Sequence, residues 1–257
     1  RKRWVIFDIQ LKERFLELWK RFCDGAPLPI VFFDTDQENI APKVKQHLSE
    51  HRCIFADISR VTKGRSLCFD GDSIGCFGGK KYLGYAKGLM PDFEYFLSCG
   101  IPGKIEGERY KKSPELVKKY MENIPSFTAP SKYIVFKRWD MLNESDNPEV
   151  VIFLANPDVL SGLFTLANYD SEDFDRVKTP FGAGCATIVL YTFLERQSDN
   201  PKAIVGVFDV SARPYVPANT LSFSVPMNRF IVMMEHMEES FLTTGSWTKV
   251  LKRIKKT

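Results

Sequence analysis

Two Gly-Cys pairs, Gly75-Cys76 and Gly184-Cys185, stand 109 residues apart in a chain of 257. Each opens a stretch with the composition of a helix, CFGGKKYLGYAKGL after the first and CATIVLYTFLERQ after the second. A cysteine at a helix start meets unpaired backbone N–H groups and the positive end of the helix dipole, and both favour its thiolate. Thiolates hold iron–sulfur clusters and many zinc sites. Cys53, which opens CIFADISRVTKG, is a third cysteine of the same kind. Cys53, Cys76 and Cys185 are therefore predicted as the ligands of an iron–sulfur cluster, with the fourth position open or taken by Cys68 or a substrate. No C-x₂-C, H-E-x-x-H, EF-hand or zinc-finger spacing accompanies them. The competing reading is that they are small buried residues, because free cysteine is among the most buried residue types.

Other residues invite weaker readings. Gly78 and Gly79, directly after Cys76, allow a close approach of a ligand or a second helix, and their glycines and lysines match no phosphate-loop pattern. Asp209, Ser211 and Arg213 stand in D-V-S-A-R at the end of a strand, where an arginine can grip a carboxylate or phosphate. The alternative there is an ordinary surface pair, worth little. His51-x-Cys53 is a possible metal pair, although a solvated histidine accounts for it as well. The methionines of MNRFIVMMEHMEE fall at helical spacing and read as core filler.

The elements that must position these residues alternate between strand and helix. Residues 8–23 read as a helix capped by Asp8 and ended by Gly25 and Pro27. LPIVFFDTD, SLCFDGDS, KYIVFKRW, EVVIFLA, AIVGVFDV and TLSFSV read as strands. SPELVKKYMENI, PDVLSGLFTLA and the run after Pro226 read as proline-led helices. Pro114 follows Cys76 by 38 residues and Pro226 follows Cys185 by 41, with a β-branched run upstream of each pair. The pattern predicts an α/β or α+β fold in which a strand-helix-strand-helix unit occurs twice about a pseudo-twofold axis. The halves are expected at residues 1–142 and 149–257, within one compact unit. Asn143–Pro148 is the expected linker.

Composition narrows the partners. A net charge of +4 from 36 basic and 32 acidic residues gives no field of the kind that neutralises phosphates, so no nucleic-acid role is expected. The basic run KVLKRIKK near the C-terminus reads as a solvated helix end. No stretch approaches 18 apolar residues, so no membrane span is expected. A cytoplasmic location is expected, because the start of the chain has neither a long apolar run nor a cleavage site. Six cysteines in that setting are free thiols or metal ligands and not a disulfide framework. The aromatic share of 13%, with 21 Phe, predicts a well-filled interior or an apolar pocket.

The order of the motifs resembles an uncharacterised prokaryotic family catalogued as domain of unknown function 169. Its pattern has a cysteine opening a helix, a strand ending in polar residues and a Cys-x-Gly-Gly-x-x-x-x-Leu-Gly element. These stand here as Cys53-IFADISRVTKG, SLCFDGDS and Cys76-Phe77-Gly78-Gly79-KKY-Leu83-Gly84. In the second half the resemblance is carried by Gly184-Cys185, DVSARPY, TLSFSVP and the helix after Pro226, and it spans about Leu28 to Leu242. The family brings no settled activity. The resemblance implies that Cys53, Cys76 and Cys185 belong to its pattern, whereas Cys23, Cys68 and Cys99 do not. Three functions follow as expectations. The first is a redox or ligand-activating iron–sulfur protein with Arg213 holding an anionic partner. The second is a metal-free module for a small anionic ligand, using Arg213 and structural cysteines. The third is an interaction protein acting as a homodimer.

Overall fold

A computed structural model describes residues 7–45 and 52–256. The chain is a mixed α/β protein built on one seven-stranded sheet in the order β2-β3-β1-β4-β7-β6-β5. Helix α1 (Ile9–Phe22) comes first, where Asp8 accepts from the Leu11 N–H at 2.7 Å as its N-cap. It is followed by β1 (Ile30–Thr35), α2 (Ile54–Val61), β2 (Leu67–Phe69) and the short α3 (Phe77–Tyr82). Next come α4 (Phe93–Phe96), α5 (Pro114–Asn123), β3 (Tyr133–Arg138), β4 (Val150–Ala155), α6 (Pro157–Ala167) and β5 (Val177–Lys178). A π-helical segment over Ala186–Leu190 runs into α7 (Tyr191–Glu195), then β6 (Ala203–Gly206), β7 (Leu221–Pro226), α8 (Met227–Glu235) and α9 (Gly245–Ile254). All strand pairs are antiparallel except β5 with β6.

Alternation along the strands sends successive side chains to opposite faces. Val31, Phe33, Val135, Val151 and Phe153 face α1, α6, α8 and α9. Ile30, Phe32, Ile134, Phe136 and Ile152 face α2, α3 and the π segment. Both faces of the sheet are therefore covered, which is why its central strands read as continuous apolar runs and not as alternating ones.

The strands of the two halves form one continuous sheet, with β1 and β4 adjacent and antiparallel. Helices α2 and α6, which the expected repeat equates, lie on opposite faces of it. Duplication about a pseudo-twofold axis is not shown by this arrangement. The expected linker is also held more firmly than its composition implies. Asp146 is 3% exposed and accepts from Lys137 Nζ at 2.8 and 2.9 Å and from the Asn143 N–H at 2.9 Å. Asn143–Pro148 is thus a turn pinned to β3 by a buried ion pair.

The helix expected from Cys76 onward stops after six residues. Gly84 takes φ +85, and a Cβ there would meet the Ala129 backbone nitrogen at 2.5 Å. The chain turns there into a helical insertion, in which α4 and α5 pack on each other around Phe93, Leu97 and Val117. Among the described residues, no helix is long and apolar enough to cross a membrane.

Candidate functional site

The space between this insertion and the sheet is a cavity of about 480 Å³. Small-molecule sites occupy about 300–1,000 Å³. Cys53, Cys76 and Cys185 all line it, with Gly78 and Gly79 beside them. Each cysteine reaches it by a different local device. Cys53 is the extended N-cap residue of α2 but makes no cap hydrogen bond, which leaves its sulfur to the cavity. Cys76 is the N-cap of α3, and its Sγ accepts the Gly79 N–H at 3.2 Å. Gly79 has to be glycine there, because a Cβ would come within 2.8 Å of that sulfur.

Cys185 stands at a helix start, as expected, but not in the manner of Cys53 and Cys76. Its backbone is helical, with φ −66 and ψ −31, so it lies inside the first turn and not at a cap. The free N–H of Gly184 is taken by Asp209 Oδ2 at 3.2 Å. Burial pushes the Cys185 thiol well above its ordinary range, and the neighbouring Cys76 and Cys53 push it further. Burial also raises Cys53, against the opposing pull of the Phe55 and Ala56 amides. The thiolate-favouring effect expected at a helix start is therefore outweighed for these two residues, because desolvation penalises the charged form.

The π segment carries Cys185 against the sheet. Thr187 Oγ1 donates to the Gly184 carbonyl at 2.8 Å and accepts from the Val207 N–H at 3.2 Å. Val207 has φ 66, a conformation that a β-branched residue adopts only under constraint. The constraint turns the chain so that Asp209, Ser211 and Ala212 reach the cavity wall. π segments inside helices occur frequently at functional sites.

Arg213 does not line this cavity. Its guanidinium donates to the carbonyls of Ala218 at 2.7 Å, Val207 and Pro217 at 3.5 Å, and Thr220. Both terminal nitrogens of Arg213 thus clamp the loop that presents Asp209, away from the cavity. Cys68 is excluded as a fourth ligand by strand alternation. Its neighbours Leu67 and Phe69 face the cavity side of the sheet, and Cys68 points to the other. Cys23 packs on that other face too, and Cys99 is exposed. His51 lies outside the described residues.

The rest of the wall is mainly aromatic, with Leu89, Met90 and Leu97 between the rings. Phe55, Phe77 and Tyr82 come from the body, and Phe93, Phe96 and Tyr120 from the insertion. The insertion is fastened to the body at the rim. Tyr110 Oη accepts the Ser211 N–H at 2.9 Å, and the Tyr120 hydroxyl donates to the Phe181 carbonyl at 3.3 Å. Lys111 Nζ sits 4.0 Å from the Phe181 ring centre. These insertion residues escaped the sequence reading. Their only signal was the aromatic content, which does not say where the rings converge.

Among the described residues, no group of three His, Cys, Asp or Glu side chains is arranged to hold a single metal ion. A mononuclear site needs every ligand within about 2.3 Å of one point.

The profile of domain of unknown function 169, described as uncharacterised ArCR, matches residues 23–236. No curated protein and no solved structure matches the chain.

Proposed function

The chain belongs to the family of domain of unknown function 169, and on the geometry of its cavity we propose that it is an iron–sulfur protein whose cluster is held by Cys53, Cys76 and Cys185. The observation that carries this reading is the meeting of three cysteines from three elements, two near one end of the chain and one far along it, at a single cavity. Such a cluster, when bound, would supply one-electron transfer or a Lewis-acidic iron open to a ligand. The protein's own contribution is positional. Gly79 N–H donates to Cys76 Sγ at 3.2 Å, and the insertion covers the cavity that the thiols line. Raised Cys53 and Cys185 thiols give binding a proton release and hence a dependence on pH.

The aromatic wall favours a second reading, a small-molecule site whose cysteines are structural. With Arg213 committed to its own loop, that ligand has no assigned anion-holding group. Anaerobic reconstitution with ferrous iron and sulfide separates the two readings. The cluster reading expects bound iron and sulfide with visible absorption, lost in Cys53→Ser, Cys76→Ser and Cys185→Ser and kept in Cys68→Ser. A folded chain that stays iron-free, or a Cys68→Ser variant that loses as much iron as the other three, overturns it.

A further inference from the structure

The cavity has a charge character unlike the rest of the chain. The sequence carries 36 Lys and Arg against 32 Asp and Glu, yet among the described residues no Lys or Arg lines the cavity. Its ionisable lining, apart from thiols and phenols, is Glu108 and Asp209. Both stand at the rim where the insertion meets the body. Ser211 ties Asp209 to Tyr110 of the insertion: its N–H donates to Tyr110 Oη at 2.9 Å and to Asp209 Oδ1 at 3.1 Å, and its hydroxyl donates to the same Asp209 oxygen at 2.8 Å. Glu108 is two residues before Tyr110 in the strand of chain that forms this rim. Lys111 Nζ lies over the rings of Phe181 and Tyr120, themselves part of the cavity lining, at 4.0 and 5.1 Å, and leaves the faces of Phe55, Phe93 and Phe96 to a ligand.

Aromatic faces attract cations through their quadrupole, and carboxylates at the mouth of a low-dielectric cavity strengthen the attraction. We propose that this cavity binds an organic cation, an amine or quaternary ammonium on an apolar body, with the body among Phe55, Phe93, Phe96 and Tyr120 and the charge toward Glu108 and Asp209. The proposal names a ligand class for the site described above, and it rests on the cavity wall and not on the cluster. A cluster held by thiolates would add negative charge at the floor and reinforce the same preference.

Three probes of one shape test it at pH 7: 4-tert-butylbenzylamine as the cation, 4-tert-butylbenzyl alcohol as the neutral form and 4-tert-butylbenzoate as the anion. Calorimetric titration is run on the iron-reconstituted protein and on the iron-free protein. The expected result is saturable one-to-one binding in the order amine, alcohol, benzoate, with the amine at least about tenfold tighter than the benzoate, roughly 1.4 kcal/mol. Glu108→Gln, a change at an exposed side chain, should narrow the amine-to-alcohol ratio several-fold and leave alcohol binding unchanged. Phe96→Ala should weaken all three probes together. Benzoate binding as tightly as the amine, absence of saturable binding in both forms, or an unchanged ratio in Glu108→Gln overturns the proposal. Amine preference in a protein that never takes up iron supports it while the cluster reading falls. Iron uptake with a reversed probe order sinks it alone.

Discussion

One sheet presents two apolar faces, and the molecule treats them in opposite ways. On the face toward α1 and α8, Phe15, Trp139, Phe153 and Phe230 interlock with ring centres 4.9 to 6.4 Å apart. The void left among such side chains there is about 20 Å³. On the face toward α2 and α3, comparable aromatic side chains border about 480 Å³. The difference lies in what each face packs against. The first meets long amphipathic helices such as the fourteen-residue α1, whose buried stripe matches the strand residues. The second meets a helix stopped after six residues and an insertion with its own small core. Apolar content alone therefore does not decide between core and pocket. The decision rests on whether the covering element can follow the sheet.

That comparison can be broken most directly by truncation. Trp139→Ala, on the packed face, should cost about 3–5 kcal/mol in urea unfolding, since it opens a cavity and leaves the Lys12 carbonyl without its indole donor. Phe96→Ala, which borders space already empty, should cost about 1 kcal/mol or less by the same measurement. Equal costs would mean that the two faces are energetically alike. Removing one partner of the buried pair on the packed side, Lys137→Met, should cost about 3 kcal/mol by stranding Asp146, which is 3% exposed. Replacing both partners by apolar residues should recover most of that loss.

A titration sharpens the same contrast. Burial pushes the Cys23 thiol, on the packed face, from 9.0 up to about 12. Below pH 9 both folded and unfolded chains hold the proton, so its stabilising contribution is fully present. As pH rises from 9 toward 12 the unfolded chain ionises first and binds fewer protons, so stability falls by about 1.4 kcal/mol per pH unit. Cys23→Ala should remove that part of the slope between pH 9 and 10, read as the shift of the urea midpoint. On the cavity face, Gly79→Ala should cost about 1–3 kcal/mol and displace the Cys76 sulfur, since its Cβ would approach that sulfur to 2.8 Å and Ile74 Cγ2 to 2.9 Å. The measurement is iron per chain after reconstitution, expected to fall well below that of the parent. The smallest effect belongs to neither face. Arg21→Ala, which removes an exposed pair with Glu238, should shift stability by about 0.5 kcal/mol or less in thermal unfolding.

Much of the fold was legible because it is written in local rules. The Asp8 cap and the spacing of Phe15, Leu18, Trp19 and Phe22 place α1, and the runs of β-branched and aromatic residues place β1, β3 and β4. The helix from Cys76 came out short because its end depends on Gly84 packing against Ala129, 45 residues later, a contact with no local signature. The π segment after Cys185 was not legible for a related reason: Thr187 is held there by Val207, whose strained backbone depends on the loop that Arg213 clamps.

The amino-acid order by itself marked the residues whose types could carry chemistry: three cysteines at element starts, two glycines beside one of them, and an acidic residue in the loop after a strand. It also determined that the chain belongs to one sheet-and-helix class, since periodicity and caps act over a few residues. Only the tertiary structure decided that Cys53, Cys76 and Cys185 share a cavity, that Cys68 faces away and that Arg213 turns inward on its own loop. Those outcomes depend on strand register, on the face each helix covers and on hydrogen bonds between distant segments. Such pairings are settled by packing the whole chain at once, so no window of sequence contains them.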